Sequence, residues 1–212
     1  MFTGIIEEIG KVGRIEKRSG YQRTTIQAKK VLAGVKIGDS ISLDGACHTV
    51  VAFDEDTFAV ESVDETLRRT TLGHRQVGHL LNLERSLKLG DRLDGHLVSG
   101  HVDGVGTISR RSDFSDNVLF EVENPVALSP YFAEKGSVTV DGISLTVISV
   151  TSCSFSVTII PHTLTVTTLA HKRTGERVNL EVDLVARYLE RLTQFPYHGR
   201  LTESKIKEMG FE

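Results

Sequence analysis

The chain has 212 residues, 25 Lys and Arg against 28 Asp and Glu, and a formal net charge of −3. That balance excludes a general polyanion binder, which carries a basic excess. With 39% hydrophobic residues and only 4 Pro it is a packed globular chain of one large domain or two small ones, not a disordered one.

The opening MFTGIIEEIG has no basic segment ahead of an apolar run, because Glu7 and Glu8 interrupt it. No stretch reaches the roughly 18 apolar residues of a membrane span. Cys47 and Cys153 are too few for a disulfide framework. These features predict a cytoplasmic protein with no membrane or nucleic-acid partner.

In chain order, the pattern predicts short strands separated by turns. Thr24–Ala28 reads as a strand, and Ser40 to Val50 alternates polar and apolar residues on both sides of Asp44-Gly45, a type I′ hairpin signal. Strands follow at Thr57–Val60 and Leu80–Glu84, before the polar, Gly-rich stretch Lys88–Gly95. Beyond it the series repeats: Leu119–Val122, a hairpin Ser137–Val147 around Asp141-Gly142, Phe155–Ile159 and Val178–Val182. The tail differs, with Leu184, Tyr188, Leu189 and Leu192 at helical spacing until Phe195-Pro196, and a second short helix from Thr202 to before Gly210.

The repetition is literal. Shifted by 97 residues, ISLDGACHTVV from Ile41 falls on VTVDGISLTVI from Val138, and LNLE at 81–84 falls on VNLE at 178–181. About 17 identities occur over positions 40–86, where unrelated chains match at roughly one position in 17. At an offset of 96, MFTGIIEEIGKV at 1–12 lies on LVSGHVDGVGTI at 97–108. The expected architecture is all-β: two tandem six-stranded Greek-key barrels, 1–87 and 88–184, plus a helical tail, 185–212.

The hairpin register points to a ligand face. Across each two-residue loop, Ser40, Ser42, Cys47 and Thr49 share one side of the first hairpin, and Ser137, Thr139, Ser144 and Thr146 share one side of the second. Exposed strands usually carry long charged side chains there. Small hydroxyls and a thiol suit the close approach of a flat polar ligand. Gly104-Val-Gly106 lacks the third glycine of a dinucleotide loop, no Cys or His pair has zinc spacing, and Ser144 has no G-x-S-x-G context.

MFTGI, LERSLKLGDRLDGHLVSGHVDGVG, KGSVTVDGISLTV and PHTLTVTTL…GERVNLEVD together resemble riboflavin synthase of the alpha-chain type, over roughly residues 1–190. The resemblance implies a transferase without cofactor or metal. Its substrate would be 6,7-dimethyl-8-ribityllumazine, two molecules of which dismutate by four-carbon transfer to riboflavin and 5-amino-6-ribitylaminouracil. It also implies a homotrimer joined through the C-terminal helices, with each reaction between the first barrel of one subunit and the second of its neighbour. Association with lumazine synthase is a further implied partnership.

Carried over residue by residue, the resemblance marks Ser40, Cys47, His101, Ser144 and Thr146 as catalytic. It marks Phe2, Thr49, Lys135, Asp183, Gly4, Gly100, Gly45, Gly142 and Ile159 as substrate-binding. The implied roles are a methyl-proton relay at His101, transient addition at C7 by Cys47 or a water on Ser40, donor binding by Ser144 and Thr146, and closure by Phe2. Singly, Cys47 reads as a small buried residue, His101 as a surface histidine, Lys135 as a turn residue and Asp183 as a helix cap. The chain departs from the family at Asp44, where asparagine is common, at His48, usually leucine, and at His162, often glutamate. The rival class is a non-catalytic lumazine- or flavin-binding carrier like the fluorescent proteins. A flavin-binding oxidoreductase barrel would need a nucleotide domain that these residues do not contain.

Overall fold

The computed structural model describes residues 1–194, 203–208 and 210. Two closed six-stranded antiparallel barrels follow one another along the chain. The first comprises β1 (Glu8–Arg18), β2 (Tyr21–Gln27), β3 (Ser40–Leu43), β4 (Ala46–Phe53), β5 (Thr57–Val63) and β6 (Leu80–Arg85), with helix α1 (Asp64–Arg69) between the last two. The second comprises β7 (Gly104–Asp113), β8 (Val118–Glu123), β9 (Ser137–Val140), β10 (Ile143–Val150), β11 (Ser154–Ile159) and β12 (Arg177–Val182), with α2 (Pro161–Val166) in the matching place. Around the first ring the order is β1-β2-β5-β4-β3-β6, and the second repeats it strand for strand. Closure leaves no unpaired sheet edge.

The duplication extends to irregularities. Bulges fall between Val12 and Arg14 and between Ile108 and Arg110, and again between Val50 and Ala52 and between Val147 and Ser149. β1 and β7 are the longest strands, and neither stands out in the sequence. Charged residues and a bulge break their alternation, so the period-2 signal never builds up. The short helices α1 and α2 have six residues each, too few for a helical period to show.

Each barrel has its own core. Ile26, Ile41, Leu43, Phe58 and Leu83 fill the first, and Ile108, Phe120, Val138, Phe155 and Leu180 fill the second. The predicted hairpins form with the predicted registers. Their turns have the positive φ of a type I′ loop, with Asp44 at 46° and Gly45 at 85°, and Asp141 at 47° and Gly142 at 79°. The two turns meet head-on between the barrels: a Cβ on Gly45 would stand 2.8 Å from Gly142 N, and one on Gly142 would stand 2.6 Å from Gly45 N. Only glycine fits there, and both positions are consumed by the barrel contact.

The contact is braced by a crossed pair of amides. Asn82 Nδ2 donates to the Asp141 carbonyl at 2.9 Å, and Asn179 Nδ2 donates to the Asp44 carbonyl at 2.8 Å. Their Oδ1 atoms accept from Thr168 N and Thr71 N. The segments leading into the barrels are also exchanged. Ile6 packs against the core of the second barrel and Val102 against that of the first.

The first interior has a polar patch where the second is apolar: Gln22, Thr24, His48 and Ser62 are buried in it. His48 points inward, 4% exposed, with Nδ1 2.9 Å from the Ala46 carbonyl and Nε2 2.8 Å from Ser62 Oγ. The counterparts of His48 and Ser62 in the second barrel, Leu145 and Ile159, are apolar core residues. The Ile159 side chain, 1% exposed, is closed to a ligand, and only its backbone is left for the expected substrate contact; its neighbour Ile160 is 57% exposed.

Burial holds the His48 imidazole below its ordinary pKa. The unfolded chain therefore takes up a proton before the folded one does. The stability from this group is present above the unfolded value of 6.5 and is lost as pH falls through the lower folded value. The double variant His48→Leu, Ser62→Ile copies the pair already used by the second barrel. It is expected to lose less stability between about pH 7.5 and about pH 5 than the parent does, in urea unfolding followed by circular dichroism.

After β12, α3 (Leu184–Gln194) starts where Asp183 Oδ1 accepts the Val185 N–H at 2.9 Å, an N-cap. Val185, Tyr188, Leu189 and Leu192 form an apolar stripe that is 56–67% exposed. The second tail helix is α4 (Glu203–Glu208), as expected; Phe195 and Pro196 lie outside the described residues.

Candidate active site

The hydroxyl-bearing faces of both hairpins turn outward from the barrels. In the first, Ser40 pairs with Thr49 and Ser42 with Cys47; in the second, Ser137 pairs with Thr146 and Thr139 with Ser144. Ser42 and Thr139 are buried, which leaves Ser40, Cys47 and Thr49 at the first surface and Ser137, Ser144 and Thr146 at the second. Carrying the β4–β5 register one step past the His48–Ser62 contact puts Val63 beside Cys47, and the same step puts Ile160 beside Ser144. Val63 and Ile160 are each 57% exposed. A hydroxyl or thiol next to an exposed β-branched side chain is a floor suited to a flat ring with polar edges.

The exchanged segments wall these faces. At the first, Cys47 N donates to the Gly100 carbonyl at 2.8 Å. Gly100 has φ +81°, and a Cβ there would lie 2.7 Å from both Cys47 Cβ and Phe2 Cε2. His101 follows, exposed, with its backbone N–H on Ser99 Oγ at 3.2 Å. Phe2 is 0% exposed and seated behind Gly100, so it supports the wall by packing and offers no ring face for stacking.

At the second, Ser144 N donates to the Gly4 carbonyl at 2.8 Å, and Gly4 has φ +76° with no room for a Cβ against Ser144. Here an imidazole enters: His96 Nδ1 lies 2.7 Å from Ser144 Oγ. His96 N donates to the Thr3 carbonyl at 3.1 Å, and Gly95 passes so close that a Cβ would stand 2.0 Å from Thr3 O. Burial lowers the pKa of His96, opposed by the nearby Asp183 carboxylate. Lys135, exposed, has φ +65° where the first repeat has Gly38 at +94°, a left-handed position that a lysine occupies only under strain.

Glu84 and Glu181 anchor the two walls symmetrically. Glu84 accepts from Thr3 N, Thr3 Oγ1 and Gly4 N at 2.6, 2.7 and 3.0 Å; Glu181 accepts from Ser99 N, Ser99 Oγ and Gly100 N at the same distances. Burial pushes both carboxyls up against these donors. Within one chain there are thus two clusters. Cys47 stands with Gly100 and His101, Ser144 stands with His96, Gly4 and Asp183, and His101 is not brought to Ser144. Gly45 and Gly142 belong to the barrel contact and reach neither surface. His96, Val63, Ile160 and the two glutamates are additions to the residues marked by the sequence. The repeat of LNLE as VNLE was the signal for the glutamates, and the exchange of segments, which sequence does not encode visibly, hid His96. Among the described residues no cluster of side chains is fit to hold a metal ion.

The family described as Lumazine binding domain matches residues 3–86 and again 99–183. The riboflavin synthase of Actinobacillus pleuropneumoniae is 44% identical over 190 residues, covering 90% of this chain and 88% of that one. That of Brucella abortus is 46% identical over 200 residues, covering 92% and 99%, and that of Bacillus subtilis is 36% identical over 215 residues, covering both chains fully. Among solved structures, LumP complexed with riboflavin superposes with a TM-score of 0.80 at 24% identity, covering 86% of this chain and 99% of that one, a likeness of fold. Duplicated barrels, paired ligand faces and identity along nearly the whole length converge on one conclusion: the chain belongs to the riboflavin synthase family.

Proposed function

We infer that this chain converts two molecules of 6,7-dimethyl-8-ribityllumazine into riboflavin and 5-amino-6-ribitylaminouracil by moving a four-carbon unit from one to the other. The observation that carries it is identity of 44% and 46% to riboflavin synthases over about nine-tenths of the chain. The chemistry asks the protein for orientation and proton transfer, because the C7 methyl anion of the substrate delocalises into its electron-poor ring. Cys47, or a water on Ser40, is the group for transient addition at C7. Thr49, Thr146 and Lys135 line the faces that hold the rings and ribityl chains. Supporting a shared site, one chain holds its two clusters on separate faces, and the stripe on α3 supports assembly as a homotrimer with the first barrel of one subunit against the second of the next. A cytoplasmic setting and docking on lumazine synthase follow from the resemblance alone.

The test is to mix the purified protein, with nothing added, with the lumazine and follow riboflavin absorbance. One riboflavin per two lumazines consumed is the expected stoichiometry. A second reading, a chromophore carrier, draws on the likeness to LumP in complex with 6,7-dimethyl-8-(1'-D-ribityl) lumazine, at 22% identity. It predicts a fluorescence change on binding and no riboflavin.

A further inference from the structure

We propose that Glu84 and Glu181 are positioning residues that act crosswise, the carboxylate of each barrel setting the shape of the other barrel's ligand face. For its consequence in turnover this rests on the synthase reading above. Glu84 lies on β6 of the first barrel and Glu181 on β12 of the second, and both are 4% exposed, closed to direct contact with a bound ring. Each accepts three hydrogen bonds from one pair of residues in its own unit, Thr3 and Gly4 for Glu84, Ser99 and Gly100 for Glu181. The carbonyl that ends the pair then leaves the parent barrel. Gly4 O accepts from Ser144 N of the second barrel, and Gly100 O accepts from Cys47 N of the first, both at 2.8 Å.

The anchoring continues one residue further. The Thr3 and Ser99 hydroxyls, which donate to the carboxylates, accept from Ile5 N at 3.1 Å and from His101 N at 3.2 Å. Each carboxylate therefore orders three successive residues of a wall, and at the first face the last of them is His101. The site needs a carboxylate. Oε1 takes two donors and Oε2 takes the glycine N–H, so an amide would set its own NH2 against that N–H, donor against donor. The glycine so misplaced is the one whose carbonyl crosses to the other barrel. The two segments meet at Phe2 and Val98, one residue ahead of each anchored pair, so each pair has its own anchor. Release of one carboxylate thus loosens a wall across the contact between the barrels and leaves the wall of its own barrel's face in place.

The experiment compares amide hydrogen exchange at Cys47 and Ser144 in the full chain, without ligand, for the wild type, Glu84→Gln and Glu181→Gln. Glu181→Gln is expected to speed exchange at Cys47 by about tenfold or more and to leave Ser144 within about twofold, and Glu84→Gln to do the converse. Titration with 6,7-dimethyl-8-ribityllumazine, followed by fluorescence, is expected to show one of two sites weakened in each variant, with riboflavin formation down by about tenfold or more in both. Thr3→Val and Ser99→Ala remove one donor and keep the buried carboxylate. They are expected to show the same pattern at about threefold, at Ser144 and at Cys47 respectively, and they decide the matter if a glutamine variant does not fold. Faster exchange at the amide of the variant's own barrel, Cys47 in Glu84→Gln or Ser144 in Glu181→Gln, would overturn the proposal. So would equal acceleration at both, since a carboxylate that only stabilises the fold gives that result. A wild type that binds lumazine but makes no riboflavin fails the synthase reading instead, and the exchange pattern is read independently of it.

Discussion

Protein carrying Leu189→Glu and Leu192→Glu is expected to be a folded monomer that still binds lumazine and has lost riboflavin formation by at least about two orders of magnitude. Both side chains lie on the stripe of α3, 58% and 67% exposed, with Val185 and Tyr188. In the trimer proposed above, covering this face gains roughly 1.5–3 kcal/mol for each such side chain, and two glutamates reverse the sign at the same place. The barrels do not depend on it, since none of these four side chains belongs to either core. On the shared site proposed above, turnover depends on it because the two rings meet only where the Cys47 cluster of one subunit faces the Ser144 cluster of its neighbour. Sedimentation velocity and the riboflavin assay on the same samples check this. A monomeric variant with full turnover would remove the shared site.

The division between what sequence disclosed and what it hid follows the range of the interactions. The hairpins were legible because their register is fixed by two adjacent residues, Asp44-Gly45 and Asp141-Gly142, and the alternation of their neighbours. So was the outward face of Ser40, Cys47, Ser144 and Thr146. The burial of the Phe2 and Ile159 side chains was not legible, because their surroundings are non-local. Phe2 is covered by the partner segment at Val98 and Gly100, 96 or more residues away, and Ile159 sits one residue from the position that is open. His96 illustrates the same limit, because its ring is bonded to a serine 48 residues distant, across an exchange of segments that neither periodicity nor spacing reveals. The departures at Asp44 and His48 became intelligible only with their partners Arg75 and Ser62 in view; nothing in the structure explains His162.

Asp141→Ala is expected to be the most destabilising single change at the contact between the barrels, about 3–5 kcal/mol in urea unfolding, a large share of a typical domain's stability. Asp141 is 0% exposed; its Oδ1 accepts the Asn179 N–H at 2.7 Å and its Oδ2 lies 2.9 Å from Lys172 Nζ. Alanine would leave the buried Lys172 with the Arg177 carbonyl and only the Asp44 carboxylate as counter-charge, and would orphan a buried N–H. It would also demand φ +47° of a residue that avoids it. Asp44→Asn, on the other side of the contact, is expected to cost less. Asparagine tolerates the left-handed turn and keeps an oxygen for Asn82 N, although the bond to Arg75 is lost. Its effect is on pH dependence. Burial, and then the nearby Asp141, push the Asp44 carboxyl up from 3.8 to about 6, against the pull of Arg75. The folded state therefore holds this proton more tightly than the unfolded chain. The stability from Asp44 is full below pH 3.8 and is lost as pH rises through about 6. His48 acts in the opposite sense, so the comparison belongs in the His48→Leu, Ser62→Ile background, where the imidazole no longer titrates. There, the chain with Asp44 is expected to lose stability relative to its Asp44→Asn variant as pH rises through about 6, a difference in which the titrations of Glu84, Glu181 and His96 cancel. A gain relative to the variant over the same range would mean that the Arg75 ion pair outweighs burial.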